Sequence, residues 1–255
     1  IMFADKNFNN KEFTNNSTNI LNKTLNKSKA FEEDDTWMQS DEIDLLYDIL
    51  EENNSEINLV RYTTSEINAL FKEVKYDLEE VRDTKLVKPI DIGLLPNEIK
   101  NIGNIKKRKE MFIKIVLPLV VKENNKIRID RKRLFNILGK NSNTDIEKKW
   151  LEKKYKQYGV RENDLSTLKI RMDEIPVSLA IAQAAKETGW GTSRFALKGN
   201  ALFGQWTWSG EGLKPKNAEK GEEHKVMKFH SLQLSVRAYL RNLNTHSSYK
   251  NLRKA

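Results

Sequence analysis

The stretch Pro176-Val177-Ser178-Leu179-Ala180-Ile181-Ala182-Gln183-Ala184-Ala185-Lys186-Glu187-Thr188-Gly189-Trp190-Gly191 runs from an alanine-rich apolar segment into a loop of glycine and tryptophan. Pro176 suits the first turn of a helix, where its missing N–H would have no partner in any case. Ala180, Ala182, Ala184 and Ala185 allow close packing, so the far end of this helix is expected to sit in a wall of low polarity. Glu187 stands at that end. Desolvation and the negative pole of a helix C-terminus both favour a protonated carboxyl. A neutral acid at pH 7 can donate a proton to a leaving oxygen, which makes Glu187 a candidate general acid.

Working outward, Asp164 to Met172, Ile146 to Tyr158 and Ile127 to Leu138 carry helical patterns, with Gly139 and Gly159 as stops. Phe112, Ile115, Val116, Leu119 and Val120 predict a further, strongly apolar helix that begins in the basic run Lys106-Lys107-Arg108-Lys109. Pro96 opens a short helix from Asn97 to Ile102, after an extended crossing at Lys88 to Gly93. Two amphipathic helices are expected between Asp41 and Val81. One is built on Ile43, Leu46, Tyr47 and Leu50, the other on Ile67, Leu70, Phe71, Val74 and Leu78, with Ser40 and Thr64 as N-caps. Beyond the central stretch, glycines 210, 212 and 221 with Pro215 break Trp206 to Phe229 into a loop or short hairpin. A last helix from Leu232 to Leu243 follows. The fold is therefore mainly α with a small β-hairpin lobe. Residues 1–40 are poor in apolar side chains and read as a flexible leader, and residues 41–100 as an acidic helical N-terminal region.

Composition removes several chemistries. The 255 residues contain no cysteine, which excludes thiolate catalysis, disulfides and cysteine-ligated zinc. His224, His230 and His246 are too scattered for metal-ligand spacing, so neither metal nor cofactor is expected. The net charge of +9 is uneven. Residues 1–100 hold 12 Lys/Arg against 21 Asp/Glu, whereas residues 101–255 hold 33 against 15. The basic part should attract a polyanion, although Lys106 to Lys109 and Arg128 to Arg133 read first as solvated helix faces. Nucleic-acid motifs and phosphate-cradling glycine loops are missing. The apolar run Ile113 to Val121 is interrupted by Lys114 and Pro118 and is too short to span a bilayer. Ile1-Met2-Phe3-Ala4 fits the remnant of an export signal, removed or truncated, and a periplasmic or secreted location in the cell envelope is expected.

Ile181-Ala182-Gln183-Ala184-Ala185, Glu187-Thr188-Gly189-Trp190-Gly191 and Leu202-Phe203-Gly204 together closely resemble the bacterial cell-wall glucosaminidases of the Bax-like branch. Phe71 through Arg82, Leu95-Pro96, Leu117-Pro118-Leu119, Asp173-Glu174-Ile175-Pro176 and Ser235-Val236-Arg237-Ala238-Tyr239 extend the likeness over roughly residues 57–255. The resemblance implies a lysozyme-like helical catalytic domain over residues 101–255. It also implies cleavage of the glycosidic bond after N-acetylglucosamine in peptidoglycan, with Glu187 as the catalytic acid.

A second carboxylate is sought in the hairpin lobe, at Glu219, Glu222 or Glu223, with Glu211 a further choice. The substrate's acetamido group is the alternative nucleophile. Trp206 and Trp208 offer flat faces for sugar rings, and Gln183, Asn200, Phe203 and Tyr249 complete the expected substrate contacts, Phe203 and Trp190 serving mostly in packing. Ala201 departs from the family, which usually has asparagine before Leu-Phe-Gly; Asn200 is the residue able to replace that contact. The expected partner is the glycan strand of peptidoglycan, with no nucleic acid, a loose attraction to an anionic membrane surface, and a monomeric state. A lytic transglycosylase and an inactive wall-binding module are the competing readings.

Overall fold

The computed structural model describes residues 59–161, 163–207, 212–215 and 225–254. The expected leader, the pattern from Ile43 to Leu50 and its Ser40 cap lie outside the described residues. Helix α1 (Thr64–Glu73) is capped by Thr63, not by Thr64 as the sequence suggested. The reason is the residue three further on. Thr63 accepts the Glu66 N–H at 3.2 Å while the Glu66 carboxylate accepts the Thr63 N–H at 2.7 Å, a reciprocal box that Thr64 cannot make. The expected single helix through Leu78 also breaks. Lys75 adopts φ 51°, Tyr76 turns inward to meet the Phe71 ring edge-on at 5.5 Å, and Asp77 caps a second helix, α2 (Leu78–Thr84).

After a 3-10 turn at Asn97–Asn101, the chain forms α3 (Ile105–Leu138), a single helix of 34 residues. The sequence shows two helical patterns here, one on Phe112 to Val120 and one from Ile127 to Leu138, with the polar residues 122–126 between them. The helix runs through because that stretch is bonded to distant elements. Asn124, buried, donates to the Ile175 carbonyl at 2.7 Å and accepts the Ile175 N–H at 3.1 Å. Glu123, also buried, accepts from Gln233 at 2.7 Å and from Arg237 at 3.1 Å, and pairs with Lys126 at 2.7 Å. Pro118 is tolerated inside α3 and lies in the same buried half as Ile115, Val116, Leu119 and Val120.

Helices α4 (Asp145–Gln157) and α5 (Leu165–Arg171) close against the C-terminal half of α3. Leu134, Ile137, Leu151, Tyr155, Tyr158, Leu168 and Met172 form the core there. The N-terminal half of α3 packs on α6 (Val177–Thr188) and α8 (Leu232–Thr245). That larger core reaches back to Ile67, Phe71, Ile92 and Leu95, so residues before position 100 share it. Each fully buried Leu, Ile or Phe contributes about 1.5–3 kcal/mol.

Between α6 and α8 lie α7 (Arg194–Gly199) and a small antiparallel sheet of β1 (Trp206–Thr207), β2 (Gly212–Leu213) and β3 (Lys225–Met227), in the order β1-β3-β2. The loop or hairpin expected here is thus a three-stranded sheet, with Trp206 opposite Val226 and Gly212 opposite Met227. Val226, Met227 and Phe229 anchor it against Leu234 and Ala238 of α8. The basic runs are largely engaged within the fold. Arg128 grips Glu174 through two hydrogen bonds, Arg131 caps the carbonyls of Lys169 and Met172, and Arg133 lies over the Trp150 ring.

Tyr158 supplies a test of this packing. Burial, above all, pushes its hydroxyl above the ordinary phenol value of 10.0, with Asp130, Glu123 and Asp173 adding to the rise and Arg241 opposing it. The unfolded chain releases that proton near pH 10 while the folded chain keeps it, so the stability involved is intact below pH 10 and is lost as pH rises beyond. In thermal unfolding followed by circular dichroism, Tyr158→Phe should lose less of its midpoint than the parent protein between about pH 9 and pH 11.

Candidate active site

Helix α6 ends in a turn of three successive residues at positive φ. Gly189 at φ 57° closes the helix with its N–H on the Ala185 and Lys186 carbonyls, and Trp190 and Gly191 follow at φ 62° and 81°. Thr188, buried beneath them, donates to the Ala184 carbonyl at 2.6 Å and accepts the Gly191 N–H at 2.9 Å. A Cβ at Gly191 would stand 3.0 Å from the Phe112 ring and 3.3 Å from Leu95 and Ile99. Trp190 pays for its left-handed backbone with packing: its ring meets Phe112 edge-on at 6.0 Å and carries Lys109 Nζ over its face at 4.7 Å. This agrees with the packing role expected of Trp190.

Glu187 precedes this turn and is exposed. The wall of low polarity expected around its carboxyl is therefore not found. Ala180, Ala184 and Ala185 are buried against the core, but Glu187 follows the outer side of the helix. Its neighbourhood is nonetheless specific. A Cβ on Gly204, at φ 63°, would be 3.6 Å from Glu187 Oε2, so the 203–205 turn runs beside the carboxylate. Tyr239 of α8 stacks on Phe203 with ring centroids 3.8 Å apart and planes 3° from parallel, and its hydroxyl donates to Gln183 Oε1, one turn before Glu187 on α6. Ser235 accepts the buried Leu202 N–H at 3.0 Å, which pins the same turn to α8.

Tyr249 lies within electrostatic reach of Glu187, on a 3-10 turn (Ser247–Tyr249) that follows α8. His246 Nδ1 accepts the Ser248 N–H at 3.1 Å, and Arg253 donates to the Leu243 and His246 carbonyls, each at 2.8 Å. Both tyrosine hydroxyls are pushed above the usual phenol range. For Tyr249 the causes are burial and then the Glu187 charge; for Tyr239 they are burial, Tyr249 and Glu187. Near neutral pH both remain O–H donors.

The structure therefore brings Gln183, Phe203 and Tyr249 around Glu187. Asn200 is placed elsewhere in role. It is buried at φ 52° as the cap of α7, and its side-chain amide donates to the Phe229 and His230 carbonyls at 2.8 and 3.3 Å. Trp206, at the start of β1, keeps 44% of its surface exposed. Trp208, Glu211, Glu219, Glu222 and Glu223 lie outside the described residues. From the sequence, Tyr239 belongs to the last helix and to the segment that extends the family likeness, with no role at the site; its place beside Glu187 depends on how α8 crosses α6. Gln205 went unremarked, and both its side-chain polar atoms are buried without a partner among the described residues.

A model of the family described as mannosyl-glycoprotein endo-beta-N-acetylglucosaminidase matches residues 165–255, from α5 through Glu187 and Tyr249. The curated protein named Protein bax, from Escherichia coli (strain K12), is 34% identical over 154 residues. Residues 165–255 are thus similar to a glucosaminidase-type domain, and the chain is similar to a Bax-like protein. The aligned stretch covers 58% of this chain and 55% of the relative, so the chain spans about half of that protein's length. No solved structure gives a significant match.

The turn after Glu187 leaves little tolerance for a side chain at Gly191. Gly191→Ala combines a left-handed backbone with contact against three core side chains and should destabilise the protein by about 2–4 kcal/mol, read as a lower denaturant midpoint.

Proposed function

We propose that this protein is a peptidoglycan hydrolase of the cell envelope that cleaves the β-1,4 bond after N-acetylglucosamine, with Glu187 as the general acid. The observation that carries this reading is the exposed Glu187 carboxyl, set beside two tyrosine hydroxyls and the 203–205 turn, within the segment matched by the glucosaminidase family. An open carboxyl suits a polymer substrate, which must reach it without threading a closed pocket. A glycan laid across Glu187 displaces water from it, and desolvation favours the neutral acid that proton donation needs. Tyr249 donates to sugar oxygens, and Tyr239 holds Gln183 in place for the same strand. Trp206, with Trp208, supplies stacking faces for the sugar rings.

Glu219, Glu222 or Glu223 acts as the second carboxylate, or the substrate's acetamido group takes that part. A separation of about 5–5.5 Å from Glu187 would serve a retaining displacement, and about 6.5–9.5 Å an inverting one.

Incubation with isolated sacculi should release fragments with new reducing ends. Glu187→Gln, checked for unchanged folding, should lower that release by about 10²–10⁴-fold. Unchanged release by the variant would refute the role given to Glu187. Mass spectrometry separates hydrolysis from a lytic transglycosylase, whose products carry an anhydro ring. Binding of sacculi with no fragments released would instead identify a wall-binding module.

A further inference from the structure

Oε1 and Nε2 of Gln205 and Oδ1 of Asn242 are buried without a hydrogen-bond partner among the described residues. The backbone at both positions is fully engaged. The Gln205 carbonyl accepts the Met227 N–H at 2.8 Å, and the Asn242 carbonyl accepts the His246 N–H at 2.9 Å. Asn200, Gln233 and Asn244 also leave an amide oxygen unpaired, but each spends its amide N–H groups inside the fold. Gln205 differs from them, because both ends of its amide are left over among the described residues. A buried polar group without a partner costs about 1–3 kcal/mol, and a native structure keeps such a group where something else is served by it.

The elements that carry these atoms bring them to the same place. Gln205 follows Gly204, whose backbone passes beside Glu187 Oε2. On α8, Ser235, Tyr239 and Asn242 are spaced four and three residues apart and lie along one stripe. Ser235 holds the Leu202 N–H and Tyr239 stacks on Phe203, so Asn242 continues that stripe beyond Phe203. Both residues keep part of their surface exposed, and rotation about their side-chain bonds brings the amides to a ligand.

The unpaired atoms are one donor, Nε2, and two acceptors, Oε1 and Oδ1. Their complement carries a carbonyl oxygen and an N–H. A planar acetamido group supplies both at fixed positions, and its methyl suits the apolar faces of the stacked Phe203 and Tyr239 rings. We propose that Gln205 and Asn242 form a recognition site for the acetamido group of an N-acetylated sugar, and that this contact selects the strand laid beside Glu187. The inference rests on reading the Glu187 neighbourhood as a glycan site, but not on Glu187 being the acid.

Titration calorimetry on the full chain carrying Glu187→Gln, which leaves the ligand intact, tests it. The probes are tetra-N-acetylchitotetraose and the β-1,4-linked glucose tetramer, in which hydroxyls replace the acetamido groups. The acetylated tetramer should bind about tenfold tighter or more. Adding Gln205→Met should weaken the acetylated tetramer about tenfold, and Asn242→Ala about threefold. The thermal midpoint of Gln205→Met should stay at or above that of its parent, because an unpaired amide has been removed; should it fall, Asn242→Ala decides the matter. Equal affinity for the two tetramers overturns the proposal, as does acetylated binding that neither substitution weakens, or no saturable binding up to about 10 mM. Release of reducing ends from sacculi by the parent protein, measured alongside, separates this inference from the hydrolase reading. Selective binding without release upholds the acetamido site and removes the hydrolase; release with unselective binding does the reverse.

Discussion

The close approach of α6 to α3 is the constraint on which the rest of the structure depends. Ala180, Ala184 and Ala185 present a face with almost no side-chain bulk, and Phe112, Ile115 and Leu119 of α3 fill the space so left. Larger residues on that face would hold the helices apart and open voids, which protein interiors tolerate poorly. Proximity of the backbones also explains Gly191. Leaving α6, the chain must turn at once over Phe112, and there is no room for a Cβ there. Glu187 then projects on the outer side by the helical period alone, with the core side of the same helix held firmly.

Around this pair the remaining elements act as braces. Glu123 joins α3 to α8 through Gln233 and Arg237, and Asn124 joins α3 to the segment leading into α6 through both backbone groups of Ile175. Two neighbouring polar residues thus fix the relative positions of three helices, and their burial is compensated by complete pairing. The stacked pair of Phe203 and Tyr239 continues the same principle on the opposite side. A ring from a loop and a ring from a helix lie face to face, so the turn next to Glu187 inherits the rigidity of α8.

Most helices could be read from the sequence because their signals are local. Asp164 to Met172, Ile146 to Tyr158 and Leu232 onward declare themselves by apolar spacing, and α5, α4 and α8 appear there within a few residues. What failed to show was whatever depends on distant partners. The polar stretch from Lys122 to Lys126 looks like an interruption until Ile175, Gln233 and Arg237 are brought alongside it. Asn200 has the composition of a sugar-binding residue and the position of a helix cap, and only the nearby Phe229 and His230 carbonyls distinguish the two. For Glu187, composition gave the helix end but not which way the side chain faces. The expectation of a sheltered carboxyl followed from its alanine neighbours, and those alanines point to the other side.

The strap that carries Tyr249 is joined to the helical body differently from everything else near Glu187. Two 3-10 turns, Ser247–Tyr249 and Leu252–Lys254, supply no fully buried side chain, and Arg253 ties them back through carbonyl bonds to Leu243 and His246. The partly buried Tyr249 ring packs against the core, and a segment held by so few buried side chains opens at a lower free energy than the helical core. One flank of the Glu187 neighbourhood can thus detach and reseat while the helices stay folded, which gives a stiff scaffold a compliant edge where a bulky chain would have to enter and leave.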